Sequence, residues 1–328
     1  MTELMKAWVH DRTGSPDVLE IRDIAKPVIG KRDVLVRNKA IGLNPVDWKF
    51  IEWGHDAWDW PHIPGVDGAG VVEAVGEEVT TLTVGARVAY HNDLLRSGSF
   101  AEFTAIPARA AIPLPADLSF AAAAALPCPW LTAWQAIEKV PARPGAITLL
   151  TGASGAVGGA LLQLAAERGF TVHAVASQSQ HERVLRFGAA TATDYREAGW
   201  REALTERFAS QPLDYIFDMV SGEHATLLAP MLGANGHLVC IQDRQESAPL
   251  AAFTTTVSLH EVGLNALHGH GHDRHWGALV QAGVEIANGL LTGRYDAQIV
   301  EVAAFGDLPA ALARLKTGPN PGNRVVAM

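Results

Sequence analysis

The stretch Thr151-Gly152-Ala153-Ser154-Gly155-Ala156-Val157-Gly158-Gly159 joins a short β-like segment, Ile147 to Thr151, to an apolar helix-like segment ending near Arg168-Gly169. Glycines at such a junction let the chain turn tightly and bring backbone close to phosphates, while the following helix offers N–H groups and the positive end of its dipole. The chemistry this suits is capture of a dinucleotide pyrophosphate. Against the G-x-G-x-x-G pattern, Gly155 and Gly158 fill the second and third positions, Ala153 stands in the first, and Gly152 lies one residue early. A second apolar segment, Thr171 to Ala176, completes a βαβ unit. Ala146 to Ala166 carries no charge, yet a strand-turn-helix accounts for its internal Gly, Thr and Ser residues, so a membrane span is not expected.

The tip of the second strand selects the nucleotide. It reads Val175-Ala176-Ser177-Gln178-Ser179-Gln180-His181-Glu182-Arg183, without the Asp or Glu that would accept from ribose hydroxyls. Ser177, Gln178 and Ser179 offer donors to a 2′-phosphate, with His181 or Arg183 supplying charge, so NADPH is favoured over NADH. A second constellation, His268-Gly-His270-Gly-His272-Asp273-Arg-His275, has metal-ligand residue types. Its glycine spacing in an expected loop lacks fixed ligand geometry, and no metal is expected there.

The elements that must position these residues change texture along the chain. Up to about Asp117 the segments are short, β-branched and punctuated by Gly and Pro, as in Val34-Leu-Val-Arg-Asn38, Gly70 to Gly76, Ala86 to Tyr90 and Phe100 to Ala105. From Phe120 to Asn265 strands, including Leu213 to Asp218 and His237 to Ile241, alternate with helix-length stretches, as in a doubly wound parallel sheet. An amphipathic helix His275 to Leu291, a strand Gln298 to Val302, a helix Leu308 to Lys316 and a strand Arg324 to Ala327 follow. The 328 residues, 48% hydrophobic, suffice for two domains. A net charge of −9 without a Lys/Arg block argues against nucleic acid or an anionic membrane as partner. Cys128 and Cys240 make no disulfide framework, and Met1 to Lys6 opens no signal-peptide core, so a cytoplasmic address is expected.

Several separated motifs carry a family resemblance. They are Ile41-Gly-Leu-Asn44-Pro45-Val46-Asp47-Trp48-Lys49, Pro64 to Gly76, Gly98 to Phe103, Ala125 to Trp134, the glycine turn, and Thr193-Asp194-Tyr195-Arg196. In this order they resemble the medium-chain dehydrogenase/reductase superfamily, in its zinc-independent NADPH:quinone oxidoreductase (zeta-crystallin-like) branch. The resemblance implies an α/β chain with a GroES-like β-rich catalytic domain, residues 1–122 and 266–328, and an inserted Rossmann domain with a doubly wound parallel sheet, residues 123–265. It also implies a site in the cleft between the domains and a homodimer. Zinc-dependent relatives carry Cys where this chain has Asn44 and His where it has Val66, leaving only Cys128 at a ligand position; a catalytic zinc needs about three protein ligands, so none is expected.

Without a Lewis acid, the implied acceptor is one already activated toward hydride, a quinone or an α,β-unsaturated carbonyl. Lys49 matches the lysine that similar enone reductases place at the nicotinamide ribose, where quinone reductases of the branch often carry Tyr; Asn44 and His91 are further donors at that end. Asp47 either orients Lys49 or makes a local turn hydrogen bond. By residue-by-residue matching, Thr132 at the start of its helix touches the nicotinamide side; Ser154, Gly155, Ala156 and Val157 face the pyrophosphate; Tyr195 packs near the adenosine phosphate; Val220 and Ile241 approach the nicotinamide half; and Arg324 reaches the cofactor. Trp48, Trp53, Trp58 and Trp60 could stack on a flat acceptor or pack in the core. Two other classes compete with the reductase: an NADPH-binding redox sensor or structural protein with vestigial catalysis, and an alcohol dehydrogenase with an unusual metal site.

Overall fold

Alternation of apolar and polar residues leaves one face of each early segment ready for burial, and the structure pairs these segments into sheets. It is a computed structural model and describes residues 3–328. The strands of the first part are β1 (Leu4–Val9), β2 (Glu20–Ala25), β3 (Asp33–Leu43), β4 (Asp67–Val75), β5 (Arg87–His91), β6 (Phe103–Pro107) and β7 (Ala111–Pro113). Helix α1 (Pro45–Trp53) separates β3 from β4, and α2 (Phe120–Ala124) and α3 (Pro127–Ile137) follow β7. Pro45 at the first helical position and Asn44 before it account for where α1 begins, and Gly54, at φ +70°, ends it.

Next come β8 (Ile147–Leu150), α4 (Ala156–Glu167), β9 (Thr171–Val175), α5 (His181–Arg186), β10 (Thr191–Thr193), α6 (Trp200–Phe208), β11 (Leu213–Asp218), α7 (Glu223–Leu228), β12 (Leu232–Cys240) and β13 (Ser258–Glu261). The six strands form one parallel sheet in the order β10-β9-β8-β11-β12-β13. Numbered within the sheet this is 3-2-1-4-5-6, the doubly wound order, whose switch point lies between β8 and β11. Leu149, Ile216 and Leu238 from its central strands are buried with Leu204, Phe208 and Leu228 from the helices.

The chain ends with α8 (Ala266–His270), α9 (Asp273–Thr292), β14 (Ile299–Ala304), α10 (Leu308–Thr317) and β15 (Asn323–Ala327). β15 enters the sheet of the first part, giving the order β14-β15-β3-β4-β5-β7 with β6 also on β3, while β1 and β2 pair with each other. The structure divides into two compact units, Met1–Leu131 with Asn265–Met328, and Thr132–Leu264, and α3 runs through the boundary. The segment around His268, expected as a loop, is the short helix α8, and the strand expected to begin at His237 begins five residues earlier at Leu232.

Candidate active site

Three strand ends assemble the polar centre of the first unit. β3 stops at Leu43, β4 starts at Asp67 and β5 stops at His91; Gly42 faces Asp67 across one ladder and Asp67 faces His91 across the next. The Asp67 carboxylate is fully buried, which is costly unless every lone pair is used. Its Oδ1 lies 2.9 Å from Nδ1 of His91, and its Oδ2 accepts from the Asn44 amide Nδ2 at 3.0 Å and the Cys128 backbone N–H at 2.7 Å. An ionised Asp67 therefore keeps the imidazole proton on Nδ1, leaving Nε2 as acceptor in the neutral ring or as second donor in the cation.

Asp47 settles one open alternative. Its carboxylate accepts from the Asn44 backbone N–H at 2.7 Å and from the Val66 N–H at 3.1 Å, so it ties the start of α1 to the start of β4 and makes no bridge to Lys49. Burial pushes its pKa well above the ordinary carboxylate value. Lys49 lies on the same helix with its ammonium 5.7 Å from the Trp48 ring and 6.0 Å from the Trp53 ring, and partial burial lowers its pKa. Trp58 is buried, stacks 3.9 Å from the His62 ring and donates to the Leu94 carbonyl, whereas Trp53 and Trp60 are exposed. These three indoles, with Thr13, His55 and Asp56, line a cleft of about 490 Å³. Of the histidines in the glycine-spaced run, His268 alone comes close to the centre, its ring 6.1 Å from that of His91. Its pKa is pushed down to about 4, by burial first and then by His91. His270, His272 and His275 are exposed.

In the second unit β8 passes through the glycine turn into α4. Gly152 has φ +58°, and a Cβ on Gly158 would stand 2.2 Å from the Gly152 carbonyl oxygen, so close packing of helix on turn requires both glycines. Gly155 is different: a Cβ there would meet nothing nearer than that same oxygen at 3.4 Å. Its bareness leaves open space in front of the first turn of α4, where Ser154, Gly155, Ala156 and Val157 are all half-exposed. A dinucleotide pyrophosphate fits that arrangement. Arg183 donates to the Ser154 carbonyl at 3.2 Å, fixing a guanidinium beside the turn. At the tip of β9 the Ser177 and Ser179 hydroxyls are 3.3 Å apart, and the Gln178 N–H donates to Asp194 at 3.1 Å.

Asp218, buried at the end of β11, accepts from the Thr151 hydroxyl, from the Ser221 N–H at 2.7 Å, from the Val220 N–H at 3.4 Å and from His224 Nδ1 at 2.9 Å. Burial would raise its pKa, but the hydrogen bonds from His224 and Thr151 outweigh that and lower it. The group thereby holds the loop that exposes Val220, while Ile241 follows β12 with its N–H on the Asp218 carbonyl. Tyr195 is half exposed beyond β10.

The structure thus groups Asn44 and His91, sets Lys49 apart against indole rings, and gathers Ser154 to Val157 with Arg183, and Ser177 with Gln178. Thr132 stands midway along α3, where it was expected at a helix start. Arg324 is mostly buried and its guanidinium is occupied by Glu301 at 2.9 Å and Asn320 at 2.6 Å, both in its own unit. Sequence reasoning missed Asp67, although it stands in Gly65-Val66-Asp67-Gly68, an acid flanked by small and apolar residues next to a position singled out for its lost ligand.

Comparisons with known proteins agree with this architecture. Residues 30–116 match the family described as alcohol dehydrogenase GroES-like domain, and residues 156–273 match the one described as zinc-binding dehydrogenase. A quinone oxidoreductase of Sus scrofa is 30% identical over 290 residues, covering 87% of each chain. A 2-methylene-furan-3-one reductase of Solanum lycopersicum is 37% identical over 233 residues, 67% of this chain and 58% of that one. The solved quinone oxidoreductase of Pseudomonas syringae pv. tomato DC3000 superposes with a TM-score of 0.85 at 26% identity, covering 99% of this chain and 100% of that chain. The chain belongs to the medium-chain dehydrogenase/reductase superfamily, in its quinone oxidoreductase, zeta-crystallin-like branch. It is an oxidoreductase of the kind that uses a nicotinamide cofactor on a small molecule. Among the described residues, no helix is long and apolar enough to cross a membrane.

Proposed function

We propose that the protein reduces a small quinone or α,β-unsaturated carbonyl with NADPH, and that no metal takes part in the step. The observation that carries this reading is the imidazole of His91, held by Asp67 and flanked by Asn44: a positioned donor for an oxygen that becomes anionic. When bound, the nicotinamide supplies the hydride. Asn44 and His91 offer hydrogen bonds to the acceptor oxygen, and Asp67 stabilises the charged ring until His91 gives up its Nε2 proton. Lys49 serves the ribose side and, kept partly desolvated, gives up its own proton more readily. The exposed indoles of Trp53 and Trp60 offer flat faces on which a flat acceptor could stack, while Trp58 is held beneath them against His62.

The open space at Gly155 supports pyrophosphate binding, and Arg183 with Ser177 and Gln178 supports a 2′-phosphate. Thr132, Tyr195, Val220 and Ile241 complete the proposed cofactor contacts; Arg324, occupied elsewhere, is left out. Similarity to a quinone oxidoreductase and to a 2-methylene-furan-3-one reductase supports both acceptor classes. The proposal includes action in the cytoplasm as a homodimer. Its test is NADPH oxidation by chelator-treated protein against a panel of quinones and enones, with NADH in parallel. Turnover with a preference for NADPH is the expected result. NADPH binding without turnover on any acceptor would favour the sensor reading, and turnover only after metal is restored would favour the dehydrogenase with an unusual metal site.

A further inference from the structure

The thiol of Cys128 lies in the polar centre of the first unit and has no part in the reduction proposed above. Cys128 is the second residue of α3 and stands between Pro127 and Pro129, whose rings fix φ, and its own N–H is held by Asp67 Oδ2 at 2.7 Å. The sulfur is therefore presented from backbone with little freedom. Its Sγ, a ring nitrogen of His91 and a carboxylate oxygen of Asp67 all lie within 4.8 Å of one another. His91 is only 5% exposed, its Nδ1 faces Asp67, and among the described residues its Nε2 has no hydrogen-bond partner. A half-buried sulfur beside a base that a carboxylate orients is the arrangement that activates a cysteine nucleophile, and the start of a helix favours negative charge. One rotamer change or one bridging water closes the remaining gap. Cys240 is the contrast: it is buried, and burial first and then Asp218 push its thiol up to about 11.

We propose that Cys128 traps unreduced α,β-unsaturated carbonyl compounds by conjugate addition and so closes the acceptor site. His91 takes the thiol proton, Sγ bonds to the β-carbon, and the π pair of the C=C bond moves through the carbonyl to give an enolate. His91 returns the proton to the enolate oxygen, and the enol relaxes to the ketone. One S–H bond and one C=C π bond are exchanged for one C–S and one C–H bond, so no oxidant or reductant is consumed. The inference rests on the reading that Asn44 and His91 hold the acceptor oxygen, because the β-carbon is then three bonds from that oxygen and inside the same cluster. The carbon that accepts hydride during reduction accepts sulfur when hydride is not supplied, and the thioether left behind fills the centre and stops turnover.

The adduct is read by mass, without nucleotide and without turnover. Full-length protein is incubated with methyl vinyl ketone at neutral pH and followed by intact-protein and peptide mass spectrometry, with N-acetylcysteine as the free-thiol reference. The expected result is one adduct per chain, on the peptide that carries Cys128, formed faster than on the reference thiol. Cys128→Ser abolishes it and Cys240→Ser, which removes the other cysteine of the chain, leaves it intact. His91→Asn slows it by about a hundredfold at neutral pH and recovers as the pH is raised, where thiolate forms without a base. Circular dichroism verifies that each variant folds. No adduct in the parent, a rate no greater than that of N-acetylcysteine, equal labelling of Cys240, or an unchanged rate in His91→Asn overturns the proposal. NADPH turnover of untreated protein, measured separately, decides the reductase reading whichever way the labelling falls; where turnover is present, its loss should track the fraction of Cys128 modified, and full turnover from fully modified protein also overturns the proposal.

Discussion

At the scale of single residues, side chains with the same chemistry have opposite fates because their neighbours differ. Arg183 and Arg324 both looked like cofactor contacts, but Arg324 is committed to Glu301 and Asn320 whereas Arg183 is anchored on the Ser154 carbonyl at the glycine turn. A hydrogen bond to a charged group is worth ~1.5–3 kcal/mol. Arg183→Ala should therefore weaken NADPH binding by roughly ten- to a hundredfold while leaving NADH binding unchanged, as read by fluorescence titration with both nucleotides; equal losses for the two would show that the turn itself had been disturbed. The residues of the glycine turn were legible in the sequence because their chemistry is backbone chemistry and is written in consecutive positions. Asp67 was not, because its importance comes from cross-strand register: its partners Asn44, His91 and Cys128 lie far from it in the chain and meet it only once β3, β4 and β5 align. Asp47 was visible as a residue with two possible roles, and only the position of the Val66 N–H decides between them.

At the scale of elements, the glycines of the turn into α4 divide into those that build it and one that leaves room. Gly155→Ala is compatible with the backbone there, φ −72° and ψ 170°, and its new methyl meets only the Gly152 oxygen at 3.4 Å. Gly158→Ala drives a methyl to 2.2 Å from that oxygen, so helix or turn must move. The expected outcome is a near-normal melting temperature for Gly155→Ala with roughly tenfold or weaker NADPH binding, against a stability loss of about 1–3 kcal/mol for Gly158→Ala. Calorimetry paired with nucleotide titration separates the two; a strongly destabilised Gly155→Ala would contradict the assignment of that space to a ligand. Strongly patterned elements, such as α9 with its apolar face and β11 with its continuous run, could be read from sequence. β13 escaped because four residues, Ser-Leu-His-Glu, carry too little hydrophobic signal at a sheet edge. The first half of β12 escaped because Gly233-Ala234-Asn235-Gly236 reads as a turn, and Asn235 does have φ +59°.

At the scale of the whole molecule, folding keeps polar groups in chosen protonation states. His62 and His10 are buried and face each other at 5.8 Å, and the pKa of His62 is pushed down to about 3 from an ordinary 6.5, by burial first and then by His10. The unfolded chain takes up the proton first, so this contribution to stability is full above pH 6.5 and is lost progressively as the pH falls toward 3. His62→Phe, which keeps a ring against Trp58, should flatten the decline in unfolding free energy over that window; denaturant titrations at a series of pH values would sink the idea if wild type and variant fell in parallel. The two sheets also differ in how the chain supplies them. The parallel sheet draws every strand from one continuous stretch, Ile147 to Glu261, whereas β15 lies inside the other sheet, between β14 and β3. During synthesis the edge of β3 that β15 will occupy is exposed while nearly three hundred further residues emerge, counting from Asp33 to Asn323. Completion of the first sheet is therefore the late event in the birth of the molecule, and the open edge of β3 is what a nascent-chain chaperone would have to shield.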